Sequence, residues 1–209
     1  MTISYLRKEE HVTEGTEEQM ERLKSAGIPR TDVEVKVFDE DDNELRPGEM
    51  GEIVVRGEVV MKGYWKNEEA TEETLRGGWL HTGDLGKMDE RGYVYLLDRS
   101  KDMVISGGEN IYPREIEEVI VRHPAVYEVA VIGVPDDKWG EALKAIISLK
   151  TGMKASEEEI IDFCKQNLAS YKKPKSVDFV DELPKNPYGK ILKRELKEKY
   201  WIGQERRIR

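Results

Sequence analysis

The chain has 209 residues and a formal net charge of −9, and 37% of its residues are charged while 38% are hydrophobic. This composition predicts one or two globular domains and excludes a membrane protein, because no apolar run approaches the roughly 18 residues that span a bilayer. The acidic balance argues against a general nucleic-acid binder, and the Trp, Tyr and Met content argues against a disordered tail.

The few cysteines and histidines limit the covalent and metal chemistry. Cys164 is the one cysteine, so the chain cannot form an internal disulfide or a metal site built on several cysteines. The three histidines are scattered and suggest no ligand set, so we predict no metal site among these residues. The N-terminal residues lack a secretory signal, and a cytoplasmic location is the natural expectation.

The charge is divided unevenly along the chain. Residues 1–98 contain 13 basic and 24 acidic residues, a net charge of −11, whereas residues 99–209 contain 21 and 19, a net charge of +2. The division favours two units with different roles, although chance variation in surface charge would explain it equally well.

The first part of the chain has the pattern of a small β structure. Residues 1–30 lack clear periodicity and predict an irregular lead-in. The alternation of Val33, Val35 and Val37 with polar residues predicts a half-buried strand. Further short strands are expected at 53–55, 79–84 and 93–97, with a short helix at 68–75 and glycine-rich turns between them. Such spacing is typical of a small β-barrel or meander.

The pattern changes after Arg99. A short strand at 103–105 precedes a helix that starts near Pro113, and strands follow at 129–134 and 142–149. Ser156 with Glu159 fits a capping box, and the helix that it opens places Cys164 on its apolar face, which predicts a core residue. A strand at 177–180 and a closing helix at 192–201 complete an α+β domain of about 100 residues.

Two segments near the middle of the chain carry candidate binding groups. Thr82-Gly83-Asp84 ends a strand, and a carboxylate in that position can accept two hydrogen bonds from a vicinal diol such as a ribose. Asp98-Arg99-Ser100-Lys101-Asp102 contains a guanidinium suited to phosphate or ribose oxygens. Each segment alone is equally compatible with a turn or a solvated linker.

Two later segments are glycine-rich. Ser106-Gly107-Gly108-Glu109-Asn110 would let the backbone approach a ligand closely, or would form a plain hairpin turn. Pro184–Lys190 ends in a glycine-flanked lysine that could reach a neighbouring domain. Lys190 is followed by isoleucine and lacks the context of a phosphate-binding loop, so this segment is weak by itself.

In this order and spacing, the four segments closely resemble the adenylate-forming enzymes, which include acyl-CoA synthetases, firefly-type luciferases and peptide-synthetase adenylation domains. The resemblance begins near Glu21 and is carried by a set of segments, two of which contain the first three of the four. These are Gly51–Gly57, Gly63-Tyr64-Trp65, Gly78–Asp84, Tyr93–Pro113, His123–Val126 and Gly133–Asp136.

The resemblance implies a domain organisation. Residues 1–98 would be the C-terminal β-barrel subdomain of the large adenylation domain, residues 99–102 a hinge, and residues 103–209 a mobile α+β cap domain. The fold class that we expect is therefore α+β. Lys101 would be the position about which the cap rotates between two half-reactions.

The resemblance also implies an activity and roles for single residues. A carboxylate would attack the α-phosphate of ATP to give acyl-adenylate, and CoA would then displace AMP. Lys190 would be the catalytic cation, Asp84 would hold the ribose and Arg99 would contact ribose or phosphate oxygens. Gly107 and Gly108 would line the CoA channel. The expected cofactors are ATP or AMP, CoA and Mg²⁺.

The family's phosphate loop and its Mg²⁺-binding glutamate have no counterpart in this sequence and would lie upstream, in a large N-terminal domain that is the expected partner. We therefore expect this chain alone to be inactive. The sequence from Ser106 to Pro113 looks most like fatty-acyl-CoA synthetases. A peptide-synthetase adenylation domain and a standalone nucleotide- or CoA-binding module are the alternatives, and a luciferase-like oxygenase fits less well. An oligomer is compatible with the sequence.

Overall fold

A computed structural model describes residues 2–202, and the chain divides into two compact units, the first ending at Lys101 and the second beginning at Asp102. The division lies inside the segment 99–102, and the predicted second domain, 103–209, ends in residues outside those described. Within residues 2–202, none of the helices has the length and apolar character needed to cross a membrane.

From residue 2 onward, the first unit contains six strands and two α-helices. The strands are β1 (Ser4–Tyr5), β2 (Ile28–Pro29), β3 (Val33–Phe38), β4 (Met50–Gly57), β5 (Leu80–Met88) and β6 (Val94–Arg99), and the helices are α1 (Glu17–Arg22) and α2 (Glu68–Thr74). Residues 1–30 were predicted to be irregular, but they form α1, which has a capping box at Thr16, and the small β1–β2 pair. No residue of α1 is buried, so it has no apolar stripe that sequence analysis could detect.

The central feature of the first unit is a four-stranded antiparallel sheet in the order β3-β4-β5-β6. Val35, Ile53 and Val94 belong to a buried cluster on one side of the sheet, while Phe38, Val54 and Trp79 form a second cluster. The predicted barrel is not closed, because within residues 2–202 the two outer strands, β3 and β6, do not pair with each other. Four strands are too few to wrap around a packed interior, and the sheet is covered by side chains from loops instead.

Up to residue 202, the second unit has five strands and three α-helices, which confirms the α+β class. The strands are β7 (Val104–Ser106), β8 (Glu109–Ile111), β9 (Val126–Asp136), β10 (Gly140–Leu149) and β11 (Ser176–Phe179), and the helices are α3 (Pro113–Ile120), α4 (Glu157–Asn167) and α5 (Lys193–Trp201). The long β10 pairs with β9 in antiparallel and with β11 in parallel orientation, and it meets the β7–β8 hairpin at one residue pair, Gly140 with Ser106.

Both faces of the second sheet are covered, which explains the nearly continuous apolar runs of β9 and β10. Val131 and Ala145 pack in one cluster with Ile116 of α3 and Ile160 and Cys164 of α4. On the other side, a second cluster joins Ala130, Ile132 and Ile146 to Leu196 of α5. The alternation along β9 sends successive side chains into the two clusters, as the period of a strand requires.

Candidate functional site

The two residues predicted to hold a ribose lie side by side in the first unit. Asp84 of β5 stands directly opposite Arg99 of β6, and Arg99 Nε lies 3.1 Å from Asp84 Oδ1. Both side chains are partly exposed, at 33% for Asp84 and 46% for Arg99, so they remain accessible to a ligand. The pair thus offers an acceptor for hydroxyl groups next to a donor for anionic oxygens.

A bulge in β5 determines how Asp84 is presented. Val54 of β4 pairs with His81 and Glu52 pairs with Leu85, so Thr82, Gly83 and Asp84 together stand opposite the single residue between them. Gly83 has a φ of 70°, a backbone conformation that other residues rarely adopt. Thr82 Oγ1 donates to the Ile53 carbonyl at 2.7 Å and accepts from the Asp84 amide at 3.1 Å, which ties the bulge to the neighbouring strand.

A charged group that sequence analysis missed lies under this bulge. Glu52 Oε1 accepts from the Gly83 amide at 2.8 Å, and Glu52 Oε2 contacts His81 Nδ1 at 2.8 Å. Arg76 approaches the same carboxylate at 3.5 Å and also forms a two-pronged ion pair with Asp42 at 3.0 Å, which lowers the pKa of the Asp42 carboxyl. The partners are about 30 residues apart in the chain, so no local pattern reveals them.

The predicted glycine loop is a tight hairpin turn in the second unit. Gly107 and Gly108 join β7 to β8 with φ values of 63° and 87°, the combination that a two-residue hairpin turn requires. The plain hairpin that we considered for this segment is therefore what the backbone forms. The Gly107 amide donates to the Trp139 carbonyl at 2.9 Å, so the turn is fixed to the start of β10.

Trp139 is a second residue that sequence analysis missed. A Cβ atom on Gly107 would lie 2.6 Å from Trp139 Cε3, so the indole packs directly against the turn. The ring is 41% exposed, and the ammonium groups of Lys138 and Lys175 lie 4.6 and 5.4 Å from its centroid. An aromatic residue next to a lysine in a polar turn is the local signal that could have identified it.

A buried carboxylate also binds the backbone of β7, the strand that leads into the glycine turn. Glu141 is 2% exposed, and its Oε2 accepts from the Ile105 amide of β7 at 3.2 Å. Gly133 lies against the same oxygen, since a Cβ there would come within 2.7 Å of it. The turn is therefore supported at two points.

Lys190 lies at the exposed end of a second hairpin. Lys185 and Ile191 form its bridge, the Asn186 amide donates to the Lys190 carbonyl at 2.9 Å, and Asn186 Oδ1 accepts from the Lys190 amide at 2.9 Å. Lys185 Nζ lies 2.6 Å from Glu128 of β9, and this hydrogen bond raises the pKa of Lys185. The backbone that carries Lys190 is thus anchored, and its ammonium has no ion-pair partner among residues 2–202.

Lys101 is exposed and lies in a 3-10 turn, Ser100–Asp102, at the end of the first unit. The structure therefore brings Asp84 and Arg99 together, whereas Lys190 and the glycine turn lie on separate hairpins of the second unit. The part of the chain that the structure describes contains no group of three His, Cys, Asp or Glu residues suited to a metal ion.

Two family descriptions match the chain. Residues 10–65 match the AMP-binding enzyme family, and residues 115–190 match the AMP-binding enzyme C-terminal domain. Among curated relatives, the chain is 49% identical over 174 residues to the long-chain-fatty-acid–CoA ligase of Escherichia coli O157:H7, which covers 83% of this chain and 31% of that protein. It is 49% identical over 177 residues to the 2-succinylbenzoate–CoA ligase of Bacillus cereus, covering 85% of the chain and 36% of the relative.

Solved structures agree with these relatives. The o-succinylbenzoate CoA synthetase (MenE) of Bacillus subtilis, in complex with its acyl-adenylate intermediate, superposes with a TM-score of 0.80 and 46% identity, over 85% of this chain and 36% of that one. ATP-bound MatB from Rhodopseudomonas palustris gives a TM-score of 0.80 and 44% identity over the same shares. The chain spans about a third of the length of the relatives that it matches. By sequence and by fold, the chain belongs to the AMP-binding family of adenylate-forming enzymes.

Proposed function

We propose that this chain is part of an AMP-forming acid–CoA ligase, which activates a carboxylic acid as acyl-adenylate and transfers it to CoA. The observation that carries the proposal is the Asp84–Arg99 pair, presented on a bulge in a fold shared with nucleotide-bound relatives. Its carboxylate fits the two hydroxyls of a ribose and its guanidinium fits an anionic oxygen, so the pair is suited to an adenosine nucleotide.

Lys190 is the residue to which we assign the adenylation chemistry. The first half-reaction brings an anionic carboxylate toward an anionic α-phosphate, and a positioned cation stabilises the charge that accumulates between them. An ammonium on an anchored hairpin, without an ion-pair partner among residues 2–202, fits this task. The free energy of desolvating that ammonium would be offset by contacts that form when substrate is bound.

The second half-reaction would use the glycine turn. Gly108 leaves the backbone open to a slender ligand, since a Cβ there would meet nothing within 4 Å. The Trp139 ring that packs on Gly107, with its two lysines, offers a stacking surface and positive charge. CoA combines a narrow pantetheine arm with an anionic nucleotide, so both features suit it. We propose that the second unit rotates about Lys101 between the two half-reactions. The glycine turn would then replace Lys190 next to the reacting groups.

A fatty acid is the substrate that we favour. The sequence from Ser106 to Pro113 supports this assignment, and so do the long-chain-fatty-acid–CoA ligases of Escherichia coli and Bacillus subtilis, which are 49% and 50% identical to the chain. An aromatic acid is the second candidate, because 2-succinylbenzoate–CoA ligases are 49% identical over a similar length.

A grafted enzyme tests the proposal. In it, this chain replaces the matching segment of the Escherichia coli ligase, a strategy with precedent in the ATP-bound structures of chimeras made from two relatives. We expect acyl-CoA and AMP to form with a panel of fatty acids, and acyl transfer to decline with aromatic acids. A graft that folds and binds ATP but forms no acyl-CoA with any acid would contradict the assignment.

A further inference from the structure

Glu52 is distinguished from the other acidic residues of the first unit by what its two oxygens contact. One oxygen accepts from the Gly83 amide and the other contacts the His81 ring, both at 2.8 Å, so the carboxylate contacts the residues on either side of Thr82. Its side chain is only 21% exposed. By contrast, Glu34 pairs with Arg56 on the open surface, where the Glu34 side chain is 56% exposed.

These two contacts of Glu52 lie where β5 departs from regular pairing with β4. Three residues, Thr82 to Asp84, stand opposite one residue of β4, and such a bulge leaves backbone groups without strand partners. The Gly83 amide is one of these groups, and Glu52 satisfies it. Gly83 adopts a left-handed φ, and its backbone leads directly into Asp84. The orientation of the Gly83 amide therefore affects the direction in which the Asp84 side chain points.

We propose that Glu52 is a positioning residue for Asp84, holding the bulge so that the Asp84 carboxylate meets both hydroxyls of a ribose. This inference rests on the proposed function of Asp84. Glu52 does not touch the nucleotide in this account, and it acts only through Gly83 and His81.

The proposal fixes the tautomer of His81. We infer that Glu52 Oε2 accepts in this contact, so His81 carries a ring proton on Nδ1, toward Glu52. His81 Nε2 is buried without a hydrogen-bond partner among the described residues, and Asp42 Oδ1 lies 3.9 Å from it. Glutamine at position 52 could keep its oxygen on Gly83 and turn its amide toward Nδ1, which would move the ring proton to Nε2.

The first experiment measures amide hydrogen exchange and ¹⁵N shifts in the chain itself. We expect Glu52→Ala to speed exchange at Gly83 by about tenfold, equivalent to roughly 1.4 kcal/mol. We expect Glu52→Gln to retain most of the protection while the His81 ring nitrogens report the other tautomer. Glu34→Ala, which breaks an exposed pair on β3 and β4, is the matched control and should change neither signal. Unchanged exchange at Gly83 in Glu52→Ala would overturn the proposal.

The second experiment compares ATP with its 2′,3′-dideoxy analogue in the grafted enzyme. If Glu52 positions Asp84, Glu52→Ala and Asp84→Asn both reduce the ratio of kcat/KM values for the two nucleotides by about tenfold, or roughly 1.4 kcal/mol. A purely structural role would lower both values and leave their ratio unchanged, which would refute the proposal. An unchanged ratio in Asp84→Asn would instead remove the ribose role from the proposed function. The exchange measurement decides on Glu52 independently of the graft.

Discussion

Gly107 and Gly108 are neighbours in one turn, yet the structure predicts different consequences for replacing them. Both have positive φ, so alanine at either position costs about 1 kcal/mol in backbone strain. A Cβ on Gly107 would also meet the Trp139 ring at 2.6 Å, whereas a Cβ on Gly108 would meet nothing within 4 Å. The two substitutions therefore separate strain from steric conflict.

We expect Gly107→Ala to lower the free energy of unfolding by roughly 1 to 3 kcal/mol more than Gly108→Ala, because the indole must move aside. Urea denaturation of the chain measures the difference. Gly152→Ala, at another positive φ with open space around it, is a control from a different loop and should match Gly108→Ala. Equal losses at Gly107 and Gly108 would show that Trp139 does not pack against the turn.

Residues whose role is local could be predicted from the sequence. Cys164 was predicted to be a core residue on the apolar face of a helix that begins at a capping box of Ser156 and Glu159. The helix α4 has this capping box and buries the thiol. Burial raises the pKa of Cys164 to about 11, as expected for an inert core thiol. Glu52 escaped prediction because its partners, His81 and Gly83, are distant in sequence. Trp139 has a local signal in the adjacent Lys138, but its packing on Gly107 depends on a distant partner.

At the scale of elements, α5 is attached to the second sheet by polar contacts as well as by Leu196. Tyr200 donates to Asp178 of β11, and Lys144 of β10 lies 2.6 Å from the same carboxylate. Trp201 Nε1 donates to the Gly133 carbonyl at 3.0 Å. The helix follows the Lys190 hairpin directly, so its attachment anchors the end of the segment that carries Lys190.

The attachment of α5 has a predictable dependence on alkaline pH. Burial, and then the hydrogen bond to Asp178, raises the pKa of Tyr200 to about 12, above its ordinary value of 10.0. A raised pKa means that the protonated phenol stabilises the fold fully below about pH 10 and that this stability is lost as the pH rises through 12. Tyr200→Phe removes both the hydrogen bond and the titration.

We expect Tyr200→Phe to cost about 1 kcal/mol near neutral pH and to differ progressively less from wild type between about pH 10 and 12. Denaturant unfolding across that range measures the difference, and Tyr127→Phe, at an exposed position on β9, is the control. A wild-type advantage that persists at pH 12 would contradict the role of the Tyr200 hydroxyl.

The elements predicted from periodicity were largely confirmed, and the failures have physical reasons. The strands β3, β4 and β10 and the helices α3 and α4 bury one or both faces, which leaves a regular apolar pattern. The short hairpin strand β8 and the exposed α1 leave no such pattern. Short strands with glycine-rich turns predicted a small β-barrel or a meander, and the consecutive antiparallel order β3-β4-β5-β6 is a meander. Closure into a barrel depends on long-range pairing that composition does not encode.

At the scale of the whole molecule, the chain spans about a third of its relatives' length, and the phosphate loop expected of the family has no counterpart in it. We therefore expect the chain alone to show no acid-dependent exchange of pyrophosphate into ATP, although it carries Asp84, Arg99 and Lys190. The measurement is an exchange assay with purified chain, using the grafted enzyme as the positive control. Robust turnover by the chain alone would contradict the expectation that adenylation needs a phosphate loop that this chain lacks.

The central claim, that Lys190 serves adenylation rather than acyl transfer, is tested most directly by separating the two half-reactions in the grafted enzyme. Lys190→Ala should depress ATP–pyrophosphate exchange by about 100-fold or more, the usual loss when one positioned transition-state donor is removed. Thioesterification of supplied acyl-adenylate should fall by less than about threefold, and the exposed Lys154→Ala should leave both rates unchanged. Equal losses in the two half-reactions would contradict the account.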